Sequence, residues 1–190
     1  MSKTKYILHG GAARRETEDN KKFFEEITKG LSDSSNVLVV CYAKPKETWS
    51  ETLEAVKKTI SSASPQKVLN FELASDKTSA FIEQIKKADA IYLLGGDSHT
   101  LKEYLSHVPN LSELWAGKTV AGSSAGALVL SKYFYENDDD TYNEGLSILP
   151  FKTFCHYAEE KSDKLEKLRQ FGENIEVRTI PEEKFFIIEQ

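Results

Sequence analysis

Ser124 stands at the centre of Gly122-Ser123-Ser124-Ala125-Gly126, a Gly-x-Ser-x-Gly stretch between a short apolar run and a helix-like one. A hydroxyl at such a point has a definite chemical use. On a strained strand-to-helix turn the serine stands clear of the backbone, and its neighbours must be small, because Cβ atoms there would strike strand and helix. The next amide, that of Ala125, opens the helix and faces the place where an attacked carbonyl would gather negative charge. A tight turn of small residues is the plainer reading of the same stretch.

A serine nucleophile needs a base. Of the four histidines, His156 is the best placed, because it closes Thr153-Phe154-Cys155 and lies 32 residues after Ser124. His107, in Ser106-His107-Val108-Pro109, reads as an exposed helix end. His99 follows a glycine turn at a helix start, where it could line a site without acting as base. His9, in His9-Gly10-Gly11, resembles a lipase oxyanion loop superficially, but it precedes the first long helix and is expected to serve the turn. For the acid, Asp138-Asp139-Asp140 lies between Ser124 and His156 and would complete the order Ser, Asp, His. A solvated acidic loop is the alternative there.

Such groups meet only if the intervening chain gathers strand ends together. Short apolar runs at 6–8, 37–41, 68–73, 90–94 and 118–121 alternate with amphipathic stretches at 19–31, 47–60, 78–85 and 99–105. The run 37–41 is continuously apolar, the pattern of a strand buried on both faces. This β-α-β-α order predicts an α/β fold, a mostly parallel sheet flanked by helices on both faces. After residue 131 the texture changes: a polar loop at 136–140, two short strands within 145–155, a charged helix at 161–171 and a closing strand at 185–188. Neither a repeat nor an interdomain linker is visible, so the expectation is a single domain over 1–190. Ligands of open parallel sheets sit at the carboxyl ends of the strands. His9-Gly10-Gly11, Gly95-Gly96-Asp97-Ser98 and the serine turn all fall at such ends.

Composition narrows the classes further. A net charge of −5, with 29% charged and 39% hydrophobic residues, gives no electrostatic reason to expect nucleic acid or an anionic membrane as partner. No apolar run approaches the ~20 residues of a membrane span, and the opening MSKTKYILHGGA holds too short an apolar core for a signal peptide. Cys41 and Cys155 form neither a disulfide framework nor a metal spacing. The expectations are a cytoplasmic protein with no cofactor and no metal.

Tyr92-Leu93-Leu94-Gly95-Gly96-Asp97-Ser98-His99-Thr100-Leu101, then Gly122 to Ala127, then Gly145-Leu146 and Phe154-Cys155-His156-Tyr157 together resemble the dipeptidase E and cyanophycinase family of serine peptidases. The likeness spans most of the chain. It implies a fold similar to class I glutamine amidotransferases, with serine in place of the elbow cysteine, and a small peptide as substrate. It also implies Ser124 as nucleophile, His156 as general base, and the Gly96 amide as a second oxyanion donor beside Ala125. Counting forward from the serine, it favours Asp139 as the acid, with Asp138 next. Two departures stand out. The family's Asn-Thr-Phe after the glycine pair is Asp97-Ser98-His99 here, and Lys161 and Lys164 occupy the region where arginines follow the histidine in aspartyl-specific members. The resemblance therefore implies a triad without implying an aspartate preference.

Other classes fit less well. An α/β-hydrolase needs more chain than the 66 residues after Ser124. A nucleotide site would call for Gly-x-Gly-x-x-Gly or a Walker lysine, and the chain has neither. A catalytically silent amidotransferase-like domain that binds a ligand or partner is the alternative from a different class.

Overall fold

In a computed structural model describing residues 3–190, the most apolar runs form the middle of a six-stranded sheet. Its strands are β1 (Lys5–His9), β2 (Ser34–Val40), β3 (Val68–Leu73), β4 (Ala90–Leu93), β5 (Thr119–Ser123) and β10 (Phe185–Glu189), in the order β10-β1-β5-β4-β2-β3. β4 and β5 are buried along their whole length, as strands covered on both faces must be. β3 alternates exposed and half-buried residues and lies at one edge. β10 pairs antiparallel with β1 at the other edge, and the remaining pairings are parallel.

The helices cover both faces because the crossovers reverse direction. β1 to β2 to β3 steps one way across the sheet, and β3 to β4 to β5 steps back. With right-handed crossovers, the two series must lie on opposite faces. α1 (Glu18–Thr28) accordingly packs against α2 (Trp49–Ala63), and α3 (Thr78–Lys87) packs against the short α5 (Leu111–Leu114). Between them in sequence, α4 (Ser98–Ser106) is started by Asp97, whose carboxylate accepts from the His99 and Thr100 amides. The Asp of the Gly-Gly-Asp motif is thus a helix cap.

Beyond α6 (Ala125–Leu128) the chain builds a second sheet. β6 (Ser131–Glu136), β7 (Thr141–Glu144), β8 (Leu149–Cys155) and β9 (Val177–Ile180) run in the order β7-β6-β8-β9, with only the β6–β7 pair antiparallel. The sequence pattern predicts two short strands within 145–155. The structure has a single strand there and adds β6, β7 and β9. Ser131-Lys132 opens β6 with two polar residues, and Val177-Arg178-Thr179 interleaves polar with apolar residues opposite a partner, β8, that is distant in sequence. α7 (Ser162–Gln170) covers this sheet, and its C-terminus is held by a buried lysine. Lys152 Nζ donates to the carbonyls of Leu168, Arg169 and Phe171 at 2.9, 2.8 and 2.6 Å, so that a cation meets the negative end of the helix.

His9, fully buried at the end of β1, joins the first strand to α1. Both Asn20 amide hydrogens are spent on the Ala12 and Arg15 carbonyls. Asn20 Oδ1 must therefore accept from His9 Nε2, 2.9 Å away. That leaves Nδ1 bare to accept from the Gly11 amide and the Ser123 hydroxyl, each at 3.2 Å. Burial drives the imidazole to about 4 from its ordinary 6.5, despite the Asn20 bond. His9 is neutral.

The unfolded chain takes up this proton near pH 6.5 and the folded chain only near pH 4. The stabilisation is thus complete above 6.5 and lost as pH falls towards 4, a difference of about 3 kcal/mol. Urea midpoints between pH 7 and pH 5 are expected to fall in the wild type. His9→Gln, although less stable at pH 7, is expected to flatten that slope; an unchanged slope would contradict this role for His9.

Candidate functional site

Ser124 follows β5 in a backbone conformation of φ 50 and ψ −113, and α6 begins at the next residue. This is the strand-turn-helix geometry expected of the motif, and its glycines are sterically required. A Cβ on Gly122 would lie 2.3 Å from the Gly126 carbonyl oxygen, and one on Gly126 would lie 2.2 Å from that of Leu93. The turn after β4 lies alongside, since a Cβ on Gly95 would sit 3.1 Å from Ser124 Cβ. Neither the Gly96 amide nor the Ala125 amide donates to an acceptor among the described residues.

The Ser124 hydroxyl lies 2.8 Å from His156 Nε2. On the other side of the ring, Nδ1 lies 3.0 Å from Glu182 Oε1. The His156 bond, and then Arg15, hold the Glu182 carboxyl below its ordinary value. It is a carboxylate and can only accept. Nδ1 therefore carries the ring proton, Nε2 is the bare nitrogen, and the Ser124 hydroxyl donates to it. Glu182 Oε2 is bound in turn by Arg15 Nη1 at 2.6 Å, and the same nitrogen reaches Glu183 Oε1 at 3.0 Å.

Asp139 is not at this site. Its carboxylate pairs with His99 Nε2 at 3.2 Å and accepts from the Thr141 hydroxyl. The acidic run forms the exposed turn of the β6–β7 hairpin, and Asp140 is tied to Lys164 and Tyr135. Only Asn137, at the root of that turn, reaches the end of β8. Glu182 arrives by a different route: β8 and β9 are parallel, and their last pair is Cys155 with Ile180. The residues that follow each strand, His156 and Pro181-Glu182, must emerge side by side. The expected order Ser, Asp, His confined the search for an acid to residues between Ser124 and His156, whereas the acidic pair after Ile180 repeats the strand-end position of His156.

His156 itself has a left-handed backbone, φ 53. Its amide donates to the Gly10 carbonyl at 2.9 Å, and its carbonyl accepts from Lys161 Nζ at 2.9 Å. Lys161 also donates to Asn137 Oδ1 at 2.8 Å, while Asn137 Nδ2 donates to the Cys155 carbonyl at 3.0 Å. Two consecutive carbonyls are thus held by two side chains that also hold each other. The ring lies against Gly11, where a Cβ would fall 2.1 Å from Cε1 and 2.3 Å from Nε2. The two thiols stay out of this chemistry. Cys155 is buried beneath the turn, and burial pushes its thiol far up; burial pushes Cys41 to about 11.

Ser124 and His156 open into a cleft of about 930 Å³. Among the described residues, no group of three or more His, Cys, Asp or Glu side chains is arranged to hold a metal, and no helix is long and apolar enough to cross a membrane.

Peptidase family S51 matches the chain over residues 6–190. The chain belongs to this family. It is a serine-type peptidase, and membership implies peptide substrates. A solved peptidase from an acI-B1 Actinobacterium is 20% identical with a TM-score of 0.68, covering 98% of this chain and 83% of that one. A putative peptidase E protein from Listeria monocytogenes EGD-e is 21% identical with a TM-score of 0.69, covering 100% and 98%. Both share the fold. No curated protein matches the chain.

Two residues outside the Ser-His-Glu line are expected to matter for the alignment of this S51 site. Gly11→Ala should force the His156 ring away and lower the rate of fluorophosphonate labelling by about 100-fold or more, with an unchanged circular dichroism spectrum. Lys161→Met should lower kcat by about tenfold or more with little change in KM, because misplacing a reacting group costs rate rather than affinity. Lys161→Arg should recover part of that loss. A Lys161→Met protein with wild-type kcat would show that the backbone holds His156 without it.

Proposed function

We propose that this S51 peptidase hydrolyses short peptides through an acyl-enzyme, with Ser124 as nucleophile, His156 as base and Glu182 as the orienting acid. The observation that carries the proposal is the unbroken contact line from Ser124 Oγ to His156 Nε2 at 2.8 Å and from Nδ1 to Glu182 at 3.0 Å. His156 takes the serine proton as Oγ attacks the peptide carbonyl. The amides of Gly96 and Ala125, free of other acceptors, receive the oxyanion. His156 then passes the proton to the leaving amine, and water repeats the cycle on the ester.

Glu182 contributes by holding one ring tautomer and by facing the imidazolium with negative charge. The Arg15 contact on its second oxygen keeps the carboxylate oriented even though its side chain is 40% exposed. In this reading the acid follows the histidine along the chain, and Asp139 has no part in the reaction.

Ser124→Ala is expected to abolish peptide hydrolysis in a folded protein, since Ala fits the turn as well as Ser. Glu182→Gln is expected to lose on the order of 10³- to 10⁴-fold in kcat, the scale of losing an orienting carboxylate. Asp139→Asn should stay within about twofold of the wild type. These three variants, assayed on one cleaved peptide, decide the assignment: a severe Asp139→Asn loss beside an active Glu182→Gln would overturn it.

A further inference from the structure

Glu136, the last residue of β6, is buried, yet among the described residues no cation lies within ion-pair distance of its carboxylate. A carboxylate taken out of water without a counter-charge is costly unless hydrogen bonds compensate it. Here one oxygen, Oε2, accepts from the buried Ser98 hydroxyl, and Oε1 accepts from the Asn137 amide at 3.0 Å. Ser98 is the first residue of α4, but its hydroxyl is not spent on the helix cap. Asp97 already receives the His99 and Thr100 amides.

Ser98 follows directly on the turn that carries Gly96. On one side this turn is fitted against the chain leaving β2: the Asp97 amide donates to the Ala43 carbonyl at 2.9 Å, and a Cβ on Gly96 would fall 2.0 Å from the same oxygen. Towards the β6–β7 hairpin, the bonds from His99 to Asp139 and from Lys102 to the Glu144 carbonyl are exposed, and the Ser98–Glu136 bond is buried. The next residue, Asn137, serves the other half of the site. It donates to the Cys155 carbonyl and accepts from Lys161, which holds the His156 carbonyl. Gly96 follows β4 of the six-stranded sheet and His156 follows β8 of the four-stranded one, so no strand pairing relates the two directly. Two consecutive residues at the end of β6 reach both.

We infer that Glu136 is a positioning residue of the S51 reaction: through Ser98 it fixes the Gly96 turn relative to the segment that carries His156. The inference rests on the reading of Ser124 as nucleophile and of the Gly96 amide as an oxyanion donor. Glu136 itself touches no reacting atom. An oxyanion donor is effective only when its amide stands roughly 2.7–3.1 Å from the place the charged oxygen will occupy. A misplacement of about 1 Å costs up to about 100-fold in rate. The loss falls on the transition state, and so on kcat rather than on KM.

Ser98→Ala and Glu136→Leu test this, with rates normalised to the sites that a fluorophosphonate titrates at completion. Both are expected to lower kcat on one cleaved peptide by about tenfold or more, with KM within about twofold of the wild type. A peptide aldehyde of the same sequence forms an adduct with Ser124 that places an oxyanion in the site, so its inhibition constant should weaken in proportion to kcat. Glu136→Gln can still receive the Asn137 amide and can donate to the Ser98 oxygen, and it should recover most of the loss. The Ser98→Ala/Glu136→Leu double variant should be no slower than Glu136→Leu alone, because both changes remove one tether. Wild-type kcat and aldehyde affinity per titrated site, beside a lowered melting temperature, would reduce the pair to a purely structural contact and overturn the inference. Additive losses in the double variant would overturn it too. Peptide hydrolysis that survives Ser124→Ala would instead count against the nucleophile assignment itself.

Discussion

Three consecutive carbonyls hold this site together. Those of His9, Gly10 and Gly11 accept the amides of Ser124, His156 and Glu183, each at 2.9 Å. Each bond fixes a residue from a different part of the chain: the serine turn, the end of β8, and the link between β9 and β10. The carbonyls can do this because β1 lies between β5 and β10, with His9 paired to Ser123 on one side and to Phe185 on the other. Where the strand pairing ends, the same chain continues to accept bonds from neighbours that have already left the sheet. Two glycines are needed because the chain leaving β9 and the His156 ring crowd so close: a Cβ on Gly10 would lie 2.0 Å from the Pro181 carbonyl oxygen.

This joint also concentrates backbone strain. Ala12, Ser124, His156 and Glu183 are four of the seven non-glycine residues with positive φ among those described. Such conformations cost on the order of 1 kcal/mol or more each and persist only where the surroundings over-determine them. Here each of the last three donates its amide to the His9-Gly10-Gly11 carbonyls. His156 is further pinned through its own carbonyl by Lys161. The strain and the hydrogen bonds belong to one arrangement: a less curled chain at His156 or Glu183 would carry its amide out of reach.

Local chemistry was legible in the sequence; long-range pairing was not. The Gly-x-Ser-x-Gly turn, the strand-end position of His156 and the alternation of β and α runs are written in stretches of ten to twenty residues, where periodicity and turn residues carry meaning. Glu182 could not be read that way. Its place depends on the parallel register that pairs Cys155 with Ile180, and β9 is a polar-interleaved strand whose partner lies more than twenty residues earlier. The acidic turn at Asp138-Asp139-Asp140 misdirected for a related reason. It lies in the right interval of sequence, yet the β6–β7 hairpin carries Asp139 to His99. Lys161 was visible only as a departure from an arginine pattern, and its bond to the His156 carbonyl has no local sequence sign.

Two imidazoles share this joint, and the arrangement assigns them opposite electrostatic roles. Under the proposed mechanism His156 becomes positive as Ser124 attacks, and Glu182 faces that charge. His9 lies close enough for the two rings to repel each other when both are charged, one of the influences that lowers His9. A protonated His9 would therefore oppose the imidazolium the reaction needs. Asn20 fixes the tautomer and not the charge, since its bond taken alone favours the protonated ring. With both its amide hydrogens committed to carbonyls, it can offer His9 only an acceptor. The single ring proton is then drawn to Nε2, and Nδ1 is left to receive the Gly11 amide and the Ser123 hydroxyl. Burial prevents the second proton from arriving at neutral pH. His9 thus stays uncharged at neutral pH beneath Ser124, His156 and Glu182.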